Sequence, residues 1–291
     1  YCNLACKMCN ARASSTIASQ HVKWGIESSR QYLGTDWTQD DSVWNSFLQQ
    51  LLAIPGLNNI HFMGGETLLT PRFSDLVDFV LKHDRTDLCF SFVTNGTVFK
   101  PDLMQKLQQF RRVGIEVSIE TVDARNAYQR QGTDTAQVLA NLDKYSAWCN
   151  GSNITLTVRP AISLLTVGSF PGLLRYCLDK KLIVKSLMVT GPEFLDIKIL
   201  PTSVKQQYLA EYHTLLDELE HVDVPTDYNA SDPNNFVTVV KEQAQMCVNI
   251  LNLPQPPNTH QLTQLTQQLV DHCRRRSEEH TSELQSHSFI S

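Results

Sequence analysis

No stretch of this 291-residue chain approaches the about 20 uninterrupted apolar residues that a bilayer-spanning helix needs. No signal-like segment stands at its start either, so neither a membrane anchor nor a secreted protein is indicated. A surplus of positive charge is also lacking. Lys and Arg number 25 against 30 Asp and Glu, a net charge of −5, and this balance leaves no electrostatic footprint for nucleic acid. The composition is not that of a disordered chain, because 42% hydrophobic residues suffice to bury a full core in one large domain with an extension. The expectation is a soluble, cytoplasmic protein whose partners include neither nucleic acid nor membrane.

Paired cysteine patterns are missing as well. Of eight cysteines, three are clustered as Cys2, Cys6 and Cys9 in Tyr-Cys-Asn-Leu-Ala-Cys-Lys-Met-Cys, and five are dispersed. An odd cluster with scattered remainders does not read as a disulfide framework. A structural zinc site generally takes four ligands in two spaced pairs, and the next candidate after Cys9 is His21, in a polar stretch. The Cys-x3-Cys-x2-Cys spacing can instead bring three thiolates to one 4Fe-4S cluster, leaving one iron without a protein ligand and open to something else. An electron-transfer or sensor cluster and a structural zinc remain the alternative readings of these residues.

The chain begins at Tyr1, directly at the cysteines and without an initiator Met, so the strand that should deliver this loop is expected upstream, in a truncated part. At the other end, residues 276–291, beginning Arg-Ser-Glu-Glu-His-Thr-Ser-Glu-Leu-Gln-Ser, look like the translation of a sequencing-adapter oligonucleotide and are set apart as non-native. Without their one Arg and three Glu the net charge becomes about −3.

Between these ends, hydrophobic periodicity alternates. Trp44, Phe47, Leu48, Leu51 and Leu52 recur at helical spacing until Pro55-Gly56. A strand follows over 59–63, then a helix opened by Thr70-Pro71 with Phe73, Leu76, Val77 and Val80 as its apolar stripe. The unit repeats with strands over 88–93, 114–119 and 154–158, each followed by a helical stripe carrying Leu103, Met104 and Leu107, then Val138, Leu139 and Leu142, then Leu173, Leu174 and Leu178. A last strand is expected over 187–189. Such alternation predicts an α/β fold of parallel strands covered by helices, with chemistry at the loops leaving the C-terminal strand ends. Gly64-Gly65-Glu66, Asn95-Gly96 and Glu120 fall there. From Pro201 the alternation gives way to helical stripes at 204–219, 236–251 and 261–273, with Pro254 to Pro257 between the last two. The expected domains are a core over 1–201, a helical extension over 202–275 and the tail 276–291.

The cysteine spacing, with Gly64-Gly65-Glu66-Thr67 after the first visible strand, resembles the radical S-adenosylmethionine (radical SAM) superfamily. The resemblance covers roughly 1–201 and is nearest to the twitch domain-containing group, through Val189-Thr-Gly-Pro-Glu-Phe-Leu-Asp-Ile-Lys-Ile-Leu-Pro201. It implies a partial (β/α)6 TIM-like barrel whose first strand is missing here. It also implies a 4Fe-4S cluster held by Cys2, Cys6 and Cys9, and reductive cleavage of SAM to a 5′-deoxyadenosyl radical that abstracts hydrogen from a substrate. In the family the diglycine turn holds the methionine amino group of SAM, which puts Gly64, Gly65 and Glu66 at the cofactor, and two open glycines suit such a close approach. Thr67 stands where the family usually has Pro. The resemblance further places Met8 against the adenine, since a thioether can take the place of the usual aromatic. Asn95 of Thr94-Asn95-Gly96 lies at the next strand end. Ser118 joins the SAM site through Val117-Ser118-Ile119-Glu120, where Glu120 replaces the usual Asp and Thr121 the usual Gly. Arg130 is assigned to the SAM carboxylate, which a guanidinium can grip in bidentate fashion. Beyond the cluster and the SAM site no catalytic residue is indicated.

A flavodoxin or ferredoxin would serve as reductant, and a peptide or protein side chain is favoured over a small metabolite as substrate. Cys89, Cys149, Cys177, Cys247 and Cys273 read as isolated or buried small hydrophobes rather than ligands of an auxiliary cluster.

Overall fold

The computed structural model describes residues 1–34, 36–149, 151–222, 235–254 and 259–287. They fall into two compact units. The first comprises Tyr1–Ala5, Cys9–Ile119 and Gly132–Val158; the second comprises Cys6–Met8, Glu120–Gln131 and the chain from Arg159 on.

The first unit is built on four parallel strands in the order Asn59–Phe62, Cys89–Thr94, Arg112–Val117 and Ile154–Val158. Register runs straight across them, so that Ile60, Phe90, Val113 and Ile154 share one row and His61, Ser91, Gly114 and Thr155 the next. Because side chains alternate between faces along a strand, the two rows face opposite ways. Phe90, Phe92, Val113, Ile115, Val117 and Val158 are buried against the helical side. His61 and Arg112 on the other face are exposed, and Ser91, Glu116, Thr155 and Thr157 are partly so.

The covering helices form where the sequence periodicity puts them. Pro71–Lys82 starts with Pro at its first turn, where the missing N–H costs nothing, and buries Phe73, Leu76, Val77 and Val80. Pro101–Leu107 buries Leu103, Met104 and Leu107. Thr135–Cys149 buries Val138, Leu142 and Tyr145, and the last of these donates its hydroxyl to the Val98 carbonyl at 2.7 Å. The helix Asp41–Ala53 buries Trp44 and Leu48, with Trp37 and Phe47 in contact with the Trp44 ring.

The second unit departs from expectation at one strand. Leu187–Met188 is extended, but it pairs in parallel with Ala161–Ile162 as a two-stranded ribbon. The short strands Arg130–Gln131 and Ile183–Val184 were not legible, because two residues are too few for a period to register. Around these, helices Phe170–Asp179, Thr202–Glu220 and Phe236–Leu251 pack together. Tyr212 is buried and donates its hydroxyl to the Val167 carbonyl at 2.8 Å.

Residues 223–234 and 255–258, the latter including most of the Pro254 to Pro257 segment, lie outside the described residues. The helix Thr259–His287 runs into the segment set apart at the C-terminus, where Arg276 is buried; residues 288–291 of that segment lie outside the described residues. Among the described residues, no helix is long and apolar enough to cross a membrane.

Phe92 lies at the centre of the buried row, in contact with the Phe73 ring and fully buried. Phe92→Ala is expected to lower unfolding stability by about 3–5 kcal/mol, the transfer loss plus the cavity, read as a lower midpoint in urea denaturation.

Candidate functional site

The cysteine loop is held by the first turn of the helix Ser15–Lys23. Ser14, its N-cap, accepts from the Ile17 amide and donates its own hydroxyl to the Leu4 carbonyl at 2.6 Å. The Cys2 amide donates to Ser15 Oγ at 3.1 Å, and the Cys2 carbonyl accepts from Ser15 and Thr16 hydroxyls at 3.2 and 2.8 Å. Hydroxyl side chains at a helix N-terminus ordinarily cap only their own helix; here three in a row also fasten the neighbouring loop. Ala5, Ala11, Ile17 and Ala18 form a small apolar cluster against which Cys9 packs. Cys2 and Cys6 are buried, Cys9 is half-buried, and none of the three is in a disulfide. Cys2 and Cys9 belong to the first unit and Cys6 to the second. Among the described residues, no group of three or more His, Cys, Asp or Glu side chains stands together as a metal site.

The diglycine turn reaches this loop directly. Gly64 and Gly65 take φ of +93° and +58°, a region that side chains other than hydrogen seldom enter. A Cβ on Gly65 would stand 2.2 Å from the Tyr1 carbonyl oxygen, and the next amide, that of Glu66, donates to the same oxygen at 2.6 Å. The turn after the strand Asn59–Phe62 is thus pressed against the residue that precedes Cys2.

Glu66 is fully buried and its carboxylate is turned inward. Oε1 accepts from the Thr94 hydroxyl at 2.7 Å and the Leu68 amide at 3.1 Å, and Oε2 accepts from the Asn95 amide at 2.6 Å. In this arrangement the carboxylate joins two adjacent strand ends. The neighbouring Asn95 donates its side-chain amide to Asn3 Oδ1 at 2.8 Å and accepts from the Thr97 amide and hydroxyl at 3.0 and 2.7 Å. Asn3 donates back to Thr97 Oγ1 at 3.3 Å, so the cysteine loop is tied to the end of Cys89–Thr94 by side chains as well. Ser118, half-buried, donates its amide to the Thr94 carbonyl at 2.9 Å, one strand further along.

In the second unit, Arg130 lies against Glu120. Its Nε and Nη2 donate to the two carboxylate oxygens at 2.5 and 2.6 Å, and Nη1 points at Cys6 Sγ at 3.8 Å. The bidentate edge expected to grip a ligand carboxylate is therefore directed at Glu120. On the same segment, the Lys7 amide donates to the Gln129 carbonyl at 2.8 Å, and the Lys7 ammonium lies 4.2 Å from the centre of the Tyr128 ring. Burial lowers the Lys7 pKa. Met8, next in sequence, is half-buried.

Beside the diglycine turn, within the first unit, runs a groove of about 880 Å³ whose lining includes Tyr1, Arg12, Tyr32, Asp36, Trp37 and Gly65. The polar sheet face, with His61 and Ser91 at 2.7 Å from each other, adds a second surface rich in hydrogen-bonding groups. Neither was singled out from the sequence, although the strict alternation in Cys89–Thr94 carried the signal for the second. Of the dispersed cysteines, Cys177, Cys149 and Cys247 have thiols pushed by burial up to about 12, 12 and 11, which suits small core groups rather than thiolate ligands.

The profile of the Radical SAM superfamily matches residues 1–158, more than half of the chain, and the chain belongs to that superfamily. Among solved structures, native anSMEcpe with bound AdoMet is similar at 17% identity and a TM-score of 0.53, over 75% of this chain and 58% of its own. The same protein with AdoMet and the Kp18Cys peptide is similar at 16% identity and a TM-score of 0.51, over 76% and 58%. Streptococcus suis SuiB bound to the precursor peptide SuiA gives 14% identity and 0.49, over 76% and 45%. At these identities the likeness is one of fold, and this chain spans about half the length of the proteins it resembles. No curated protein matches the sequence.

The geometry separates the two glycines. Gly64→Ala, with nothing within 4 Å of its added carbon, is expected to cost about 1–2 kcal/mol for its backbone conformation alone. Gly65→Ala must also displace the Tyr1 carbonyl and is expected to cost more and to loosen the cysteine loop. Denaturation midpoints and hydrogen exchange at the Cys2 amide read the difference.

Proposed function

We propose that this chain is the core of a radical SAM enzyme that acts on a peptide or protein side chain. The observation that supports the reading is the contact, within the first unit, of the diglycine turn with Tyr1, the residue before Cys2. An electron-transfer cluster or a structural zinc would not call for that turn.

The residues present suit the cofactors. Cys2, Cys6 and Cys9 offer three thiol donors, none in a disulfide, two of them buried, and by their spacing they would hold three irons of a 4Fe-4S cluster. Bound together, the cluster and SAM supply reductive cleavage to methionine and a 5′-deoxyadenosyl radical that takes hydrogen from the substrate. The chain's share is to bind, orient and shield. Both glycines, at positive φ, bring no side chain to the turn, and their carbonyls would accept hydrogen bonds from an ammonium. Glu66, held by Thr94 and Asn95, keeps that turn in place. Asn95, Ser118 and Met8 complete the proposed SAM contacts. Arg130 keeps one guanidinium nitrogen, Nη1, turned away from Glu120, and that group faces the cysteine loop.

The substrate class rests on the sequence resemblance to the twitch domain-containing group and on the fold likeness to anSMEcpe with a bound peptide, which is an argument from architecture. The domain limits proposed are a core over 1–201, a helical extension over 202–275 and a foreign tail, with a flavodoxin or ferredoxin as reductant in a reducing, cytoplasmic compartment.

Anaerobically reconstituted with iron and sulfide, the protein is expected to release 5′-deoxyadenosine from SAM under reduction, with Cys6→Ala losing at least a hundredfold in rate. Chromatography of the nucleoside product measures this. Cluster loading without any SAM cleavage would return the reading to an electron carrier, and zinc in place of iron to a structural site.

A further inference from the structure

The pair Glu120 and Arg130 has a feature that a surface ion pair lacks: it is buried and locked from several sides. Glu120 has no exposed surface and Arg130 is 8% exposed. The carboxylate accepts both N–H groups on one edge of the guanidinium, and its Oε1 also accepts from the Ala161 amide at 3.2 Å. The Glu120 amide donates to Asn126 Oδ1 at 3.1 Å, so the residue is pinned by main chain and side chain alike. With Nε and Nη2 committed, rotation of the guanidinium is removed, and Nη1 is aimed at Cys6 Sγ. A planar fork can be fixed in this way, whereas an ammonium on a flexible stem cannot.

Such an arrangement costs desolvation, and holding the guanidinium alone would not require it to point at a sulfur. Its electrostatic effect is directional. The cation lies between the sulfur and the carboxylate, so the sulfur meets the positive end of the pair. A positive charge and an N–H donor at a cluster sulfur favour the more negative, reduced state and raise the reduction potential. The carboxylate behind it works against this from a greater distance, while keeping the donor in place.

We propose that Arg130 donates to the sulfur of the Cys6 ligand and raises the potential of the cluster, with Glu120 as the positioning residue that holds the guanidinium there. This rests on the cluster assignment given above. It assigns Arg130 a role toward the metal centre in addition to any contact with SAM, and gives Glu120, which replaces the family's usual Asp, a function there as well.

The test is a potentiometric titration of the reconstituted cluster, followed by electron paramagnetic resonance without SAM, in the unaltered protein, Arg130→Gln and Glu120→Gln. Arg130→Gln is expected to lower the reduced-to-oxidised ratio at fixed poise by about tenfold, a shift of about 59 mV to more negative potential for a one-electron couple. Glu120→Gln, whose amide oxygen still accepts from the guanidinium while the anion is removed, is expected to shift the potential the opposite way. A purely structural role would move neither, or both alike, and either result overturns the proposal. If Arg130→Gln does not fold, Glu120→Gln decides alone: a positive shift supports the proposal, while no shift or a negative one overturns it. Failure of the unaltered protein to load a cluster would overturn this inference together with the proposed function, whereas a loaded cluster with unmoved potentials would overturn this inference only.

Discussion

The contact between the Tyr1 carbonyl and the diglycine turn is the constraint around which the first unit's site is arranged. A carbonyl oxygen at 2.6 Å from the Glu66 amide, and at 2.2 Å from where a Gly65 side chain would begin, leaves no place for any residue but glycine. The backbone must also hold positive φ at two consecutive positions. Such a turn is entropically costly to order, and the surrounding hydrogen bonds offset that cost. Glu66 carries much of this load, because a buried carboxylate with three donors is strongly held whereas one with none would be driven out of the core.

Side chains commonly expected to reach toward a ligand are here spent on the protein itself. In the first unit Glu66 joins two strand ends and Asn95 joins a strand end to Asn3 of the cysteine loop. In the second, Glu120 fixes Arg130. The common result is order: a backbone turn or a cation held at a set position by buried polar partners has little freedom left to lose. The first unit also carries the groove beside the diglycine turn and the polar row His61, Ser91 and Thr155.

The sheet makes this division of labour possible. One row of each strand, Phe90, Phe92, Val113, Ile115, Val117, is buried under helices, and its burial, at about 25 cal/mol per Å² of apolar surface, provides the stability that frees the opposite row to be polar. Parallel strands carry their C-terminal ends together, so Glu66, Asn95 and Ser118, from three separate segments, meet along one edge of the sheet.

Much of this was legible in the order of residues. The alternation of Cys89–Thr94, the stripe Phe73, Leu76, Val77, Val80 and the capping Thr70-Pro71 are local patterns, and local patterns determine helices and strands because they depend on neighbours within one or two turns. The double glycine likewise announced a close backbone approach, and the structure brings the Tyr1 carbonyl there. The strand over 187–189 was legible as extended chain but not as a partner of Ala161–Ile162, since pairing depends on which distant segment supplies the facing hydrogen bonds. For the same reason the sequence alone could not say that Arg130 would turn its fork to Glu120 and a single N–H to Cys6: residues 10 and 124 positions apart acquire that relation only when folding removes water and makes each buried charge find its partner.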